Sequence, residues 1–328
     1  MRSTPIFAAC LLISLILTAL PACDNVTWGG SDIQIVPSPP AAGTLRLEPD
    51  AQAFAELGMP SGTVLFHLVR AAEETRLIPV AEVVGGEIRT LRRPAGVSAA
   101  AYENRFREAV IPAGAQFDVF RRGARVGTFL AQGAGAVTQC GLPSATGSLT
   151  TVAAAADVRE FLAFRRGLAP EVRGEYSPPQ ITGSIRTYAS IVAERLILQA
   201  GLPRPRSWAG AQRDLQAIEI MPGGNPEMAT TYLVGDSLAV GPADPNGYSV
   251  FYIADYETRR GYTPIFQEVR SYGQTGKTAP RLVDHLNWDG RDGEEILLQL
   301  FGRDQSWYST VSQNERGQWT KVWEAERC

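Results

Sequence analysis

His67 and His285 are the only imidazoles in a chain of 328 residues. Histidine supplies most general bases near neutral pH and many transition-metal ligands, so both chemistries have little to draw on here. His67 lies in the apolar run Val64-Leu65-Phe66-His67-Leu68-Val69, the setting of a strand residue with a hydrogen-bonded ring. His285 follows Asp284 and precedes an acidic, glycine-bearing stretch, where it reads as a structural partner to a turn. That stretch, Leu286-Asn287-Trp288-Asp289-Gly290-Arg291-Asp292-Gly293-Glu294-Glu295-Ile296, is the most chemistry-like string in the chain. There is no phosphate loop, dinucleotide fingerprint or Cys-x-x-Cys. Trp288, Trp307, Tyr308, Trp319 and Trp323 crowd the last part of the sequence. Such aromatics stack on sugars or anchor interfaces, and on strands they also form ordinary core.

The acidic string resembles the calcium-loop repeat of FG-GAP and VCBS-type β-propeller proteins, in which a glycine-bearing acidic turn precedes an apolar strand. The resemblance covers residues 282–301. It implies calcium as cofactor, with Asn287, Asp289 and Glu295 as side-chain ligands at the first, third and ninth places and Gly293 giving a backbone carbonyl at the seventh. A hard cation needs six or more oxygens at about 2.3–2.6 Å, which a tight turn presents on alternate residues. The fifth place is Arg291, a cation where that family has a carboxylate. The alternative is a hairpin turn of calcium-loop ancestry, with Asp289-Gly290 and Asp292-Gly293 as turn residues.

A second string, Tyr232-Leu233-Val234-Gly235-Asp236-Ser237-Leu238, resembles the first block of the GDSL esterases and lipases, which implies Ser237 as a nucleophile. Those enzymes open a doubly wound α/β domain with that block and activate the serine from an Asp-x-x-His near the end. Here 91 residues follow Ser237, the residue three before His285 is Leu282, and the downstream pattern is strand after strand. The plain reading of Asp236-Ser237 is a turn between strands.

The amino terminus carries an address. Arg2 precedes an uncharged apolar run over residues 6–20, within the range of a signal-peptide core and short of the roughly 20 residues that span a bilayer. It ends in Leu20-Pro21-Ala22-Cys23, which resembles the bacterial lipobox and implies a diacylglycerol on Cys23, with residues 1–22 removed. Pro21 departs from the small residue usual there. Cleavage after Ala22 without a lipid, or retention as a membrane helix, are the alternatives. With Cys10 removed and Cys23 acylated, Cys140 and Cys328 remain, and in an oxidising compartment they are expected to form one disulfide; two buried thiols are the alternative.

Residues 23–43 hold Gly29-Gly30-Ser31 and Pro37-Ser38-Pro39-Pro40 and read as a tether. A strand-rich domain is expected over 44–166, with strands at 63–69, 76–84, 116–120, 125–130 and 160–164 and a helix capped by Ser98. Pro170, Pro178 and Pro179 mark a boundary over 167–183. A helix follows over 184–200, stopped by Gly201 and Pro203, and residues 184–328 form a helix plus antiparallel β domain. Its strands are expected at 230–234, 248–253, 262–269, 296–301, 307–311 and 319–323. The fold class expected is therefore α+β, mostly β, the second part being a sandwich, a barrel or part of a propeller.

A formal charge of −3, with arginines scattered among acids, leaves no basic stripe along the sequence and disfavours nucleic acid. The reading is an exported, lipid-anchored, non-catalytic envelope protein that binds an unidentified envelope protein or extracellular ligand. The alternatives are an exported hydrolase using Ser237 and a structural or assembly lipoprotein.

Overall fold

A computed structural model describes residues 58–72, 74–172 and 174–328. The expected signal peptide over 1–22, the lipidation site Cys23 and the tether over 23–43 lie outside the described residues. The fold is α+β and mostly β, as the sequence leads one to expect.

The first module is a closed barrel. Strands β1 (Thr63–Arg70), β2 (Thr75–Val84), β4 (Gln116–Arg121), β5 (Ala124–Ala134), β6 (Ala145–Thr151) and β7 (Glu160–Arg165) pair in the order β1-β7-β4-β5-β6-β2, and a β1–β2 pairing closes the ring. β3 (Glu87–Thr90) extends β2 as a short flap. All these pairings are antiparallel. Closure removes the exposed edges that would otherwise recruit other strands. Helix α1 (Ala99–Ala109) starts at Ser98, whose hydroxyl accepts from the Ala101 N–H at 3.2 Å, and it buries Tyr102 and Phe106 in the barrel core.

Two four-stranded antiparallel meanders make up the second module. The first is β8 (Gln212–Ile218), β9 (Glu227–Val234), β10 (Tyr248–Glu257) and β11 (Gly261–Ser271). The second is β12 (Ala279–Leu286), β13 (Glu295–Phe301), β14 (Ser306–Gln313) and β15 (Trp319–Glu324). Helix α2 (Gly183–Gln199), with Thr182 as N-cap, lays Ile185, Ala189, Val192 and Leu196 on the first meander. Two short helices, α3 (Trp208–Ala211) and α4 (Tyr272–Thr275), flank that meander.

Packing explains why the strand sequences read as continuous apolar runs and not as alternation. In β10, Val250 and Tyr252 face α2, whereas Phe251 and Ile253 join Ile296, Leu298 and Leu300 of β13 between the two meanders. Leu297 of β13 points the other way, to a core shared with Leu65, Phe120, Leu162 and Phe164 on the barrel's outer face. Both meanders are thus covered on both faces, so both side-chain sets of a strand must be apolar. The layers run α2, first meander, second meander, barrel. The described residues form one compact unit.

Cys140, between β5 and β6, is bonded to Cys328 with Cα atoms 5.2 Å apart across 188 residues of sequence. This is the pairing expected from the cysteine count.

The interface between barrel and second meander is charged as well as apolar. Arg281 of β12 gives the Glu160 carboxylate of β7 two hydrogen bonds of 2.5 Å and reaches Gln299 at 2.7 Å. His67 of β1 bonds Tyr308 of β14 at 2.9 Å through Nδ1, and its Nε2 stands 3.6 Å from Glu160. Burial opposes ionisation of Glu160, but the bonds from Arg281 and the neighbouring His67 outweigh it and hold the carboxyl well below the usual range. Removing one member of a mostly buried pair strands the other. Arg281→Ala is expected to lower unfolding free energy by about 3 kcal/mol in urea titration, and Glu160→Leu with Arg281→Met to recover most of that loss. Equal losses in the single and double variants would show that the pair does not hold the interface.

Candidate functional site

The β4–β5 hairpin turns on two residues, Arg122 and Gly123, both with positive φ, 47° and 71°. Such a turn matches the twist of a hairpin and ordinarily carries Asn-Gly or Gly-Gly. It docks against β12: the Arg122 N–H donates to Asp284 Oδ1 at 2.9 Å, and the Gly123 N–H donates to the His285 carbonyl at 3.1 Å. Beside it Arg121 donates to the Val283 carbonyl at 2.7 Å and stands 3.4 Å from Asp284, which is 1% exposed. His285 pairs through Nδ1 with Glu294. Both histidines are therefore engaged in links that join elements of the fold.

On one side of this turn a cleft of about 1030 Å³ is lined by Arg70, Arg121, Arg122, Arg159 and Arg186, with Glu160 at its wall. Tyr176, Pro178 and Ile181 from the segment before α2 give it an apolar side. On the other side a cleft of about 680 Å³ lies between residues 219–224 and the loop over 287–294.

That loop joins β12 to β13 and holds the residues assigned above to a cation. Asn287 Oδ1 accepts from the Gly290 N–H at 2.7 Å, and its amide donates to the Arg291 carbonyl. Glu295 Oε2 accepts from the N–H groups of Trp288 at 2.8 Å and Asp289 at 3.3 Å. Asp289 is bonded by the backbone and side chain of Arg291, at 2.8 and 2.5 Å. Gly293, with φ 91°, packs near Met221. Side-chain oxygens of Asn287, Asp289 and Glu295 thus face protein donors, and the Arg291 guanidinium occupies the charge-balancing role of a cation. Among the described residues no group of three or more His, Cys, Asp or Glu is placed to hold a metal ion. This donor set fits a divalent cation poorly, because calcium needs six or more free oxygens.

Ser237 lies in the loop after β9. Its N–H donates to Asp236 Oδ1 at 2.7 Å. Asp236 is held by Lys277 at 2.5 Å and by the Tyr272 hydroxyl at 2.6 Å. The Lys277 ammonium has three hydrogens, and it contacts Asp236, the Ala239 carbonyl at 2.7 Å and the Ser237 carbonyl at 3.4 Å. Lys277 thus clamps the loop, with its contacts taken up by Asp236 and two backbone carbonyls.

The late aromatics divide between packing roles. Trp307 and Trp319 join the core between the meanders and Trp288 joins the barrel interface, whereas the Trp323 indole donates to Thr90 of β3 at 3.0 Å. Arg121, Arg122, Glu160, Arg281 and Asp284 gain no site role from a motif reading, which places no strand at β12. The signal that could have found them is the burial-incompatible charge in Ala279-Pro280-Arg281-Leu282-Val283-Asp284-His285-Leu286 and in Arg121-Arg122-Gly123.

Compared with known protein families, curated proteins and solved structures, the chain shows no significant match to any of them.

Two predictions test the loop and its surroundings. Calcium against chelator is expected to leave the melting midpoint unchanged in the native chain, whereas Arg291→Asp, which restores an acid at the fifth place, is expected to make it rise with calcium. A ligand at a hundred times its Kd stabilises by about 2.7 kcal/mol, an easily measured shift. A calcium response in the native chain would overturn the assignment of Arg291 as the internal cation.

The second concerns pH. Glu227 is 1% exposed and accepts from the Ile220 N–H at 3.1 Å; burial pushes its pKa from 4.5 up to about 7. Burial also pushes Glu295 upward, against the Trp288 N–H and with the help of negative Asp289. An acid raised on folding stabilises fully below its unfolded pKa and loses that contribution as pH rises through the folded value. These groups are expected to make stability fall between pH 4.5 and about 8, with a shallower fall up to about pH 7 in Glu227→Gln. Identical slopes in denaturant titrations at stepped pH would count against it.

Proposed function

We propose that this chain is an exported envelope protein, anchored by a lipid on Cys23, that binds a ligand or partner and catalyses no reaction. The observation that carries the reading is the Cys140–Cys328 bond, since a disulfide of this kind persists in an oxidising compartment and not in a reducing cytosol. The apolar run over residues 6–20 and the lipobox-like Leu20-Pro21-Ala22-Cys23 give the route and the anchor. The commitment of both imidazoles and of Lys277 to structural bonds favours binding over hydrolysis at Ser237.

In a bacterial host, a palmitate analogue bearing an alkyne is expected to label the native chain and not Cys23→Ala, with the labelled protein in the membrane fraction. A fluorophosphonate probe is expected to leave Ser237 unmodified. An unlabelled protein recovered from the cytosol would sink the envelope reading, and probe labelling abolished by Ser237→Ala would move the chain to the serine hydrolases.

A further inference from the structure

The arginine-lined cleft holds cationic charge that the described residues do not neutralise. Glu160 is the one carboxylate among its described lining residues, and both of its oxygens are held by Arg281, which is not part of the lining. Arg121 has Asp284. Arg70 donates to the Ala156 carbonyl and to Thr151 at 3.2 Å, both neutral, and lies over the Phe161 ring at 5.5 Å. Among the described residues Arg70, Arg122, Arg159 and Arg186 have no carboxylate partner in an ion pair. Four guanidinium groups around one hollow repel each other, and a fold gains nothing in stability from such an arrangement unless something else fills it.

Two further observations point the same way. The buried Nε groups of Arg121 and Arg122 have no hydrogen-bond partner. Buried donors left unmet are costly, and they gather where a ligand or ion completes a network. Arg122 is also the one non-glycine with positive φ among the described residues, in a turn position that Asn or Gly fills more easily. Holding a long side chain there costs about 1 kcal/mol or more, and such outliers cluster at binding sites. Burial, with the repulsion of Arg121, lowers the Arg122 pKa from its ordinary value.

We propose that this cleft binds a small ligand carrying two or more oxyanion groups, carboxylate or phosphate, on a body with one apolar face. The planar guanidinium offers paired N–H donors that match either oxyanion, which a lysine ammonium does not. Tyr176, Pro178 and Ile181 are the wall for the apolar face. The site deepens the binding role proposed above and rests on that reading for the existence of a ligand. Its test, made on the full chain, does not depend on whether Cys23 is acylated.

Calorimetric titration with pyrophosphate and with citrate, each against sodium chloride at matched ionic strength, reads the site directly. Saturable binding of pyrophosphate alone identifies phosphate as the group recognised; binding of citrate alone identifies carboxylate. Arg122→Gly is expected to weaken that binding at least tenfold while melting no lower than the native chain, because it relieves the left-handed backbone. Arg159→Gln, at an exposed position, is expected to weaken binding without changing the melt. Saturation by neither anion, or binding undiminished in both variants, would overturn the proposal and leave the envelope reading standing.

Discussion

The second meander is held to the barrel through β12, a strand that carries charge in a place where oil alone would be cheaper to bury. Arg281 meets Glu160, and Asp284 receives the backbone and side chain of the barrel's arginine hairpin. Around these pairs Leu65, Phe120, Leu162, Phe164, Val283 and Leu297 form a continuous apolar seal. The apolar contacts supply most of the driving force, but they are non-directional and would tolerate sliding. The ion pairs supply register: a one-residue slip of β12 would turn Arg281 away from Glu160 and bury it unmatched. The clefts on either side of the hairpin have the shapes they have because that register is fixed.

The other interfaces are simpler. Alternate residues of β10 and β13 serve two cores each, so a single strand welds three layers. Some of the polar groups that fall inside this stack are bonded across it. Tyr252 donates to the Ala189 carbonyl of α2, and Thr231 donates to the Pro280 carbonyl of β12 at 2.7 Å. These bonds cost little once made and penalise any rearrangement that breaks them, which gives a stack of sheets one arrangement instead of several.

The sequence makes most of this architecture legible wherever apolar runs are bounded by turns. The cores of β1, β2, β4, β5 and β7, both longer helices and six strands of the second module lie where their residues suggest. Four strands are not legible, and each for a physical reason. β3 is four residues long, and β6, Ala145–Thr151, is built of small and hydroxylated residues on the barrel wall. β8 is half-polar and begins directly after α3. β12 contains proline, arginine, aspartate and histidine, all of which argue against a buried strand until their partners on a distant part of the chain are known. The candidate site was missed with it, since pairing over more than a hundred residues leaves no periodic trace. The disulfide was legible because elimination left only one pair.

The covalent link from Cys140 to Cys328 also has a mechanical meaning. Tension applied between any point ahead of Cys140 and the residue Cys328 travels through the sulfur bridge. The intervening chain, with α2 and the two meanders, is bypassed and carries none of that load. A pull along this line would therefore strain the early part of the barrel while the layered sheets stay slack.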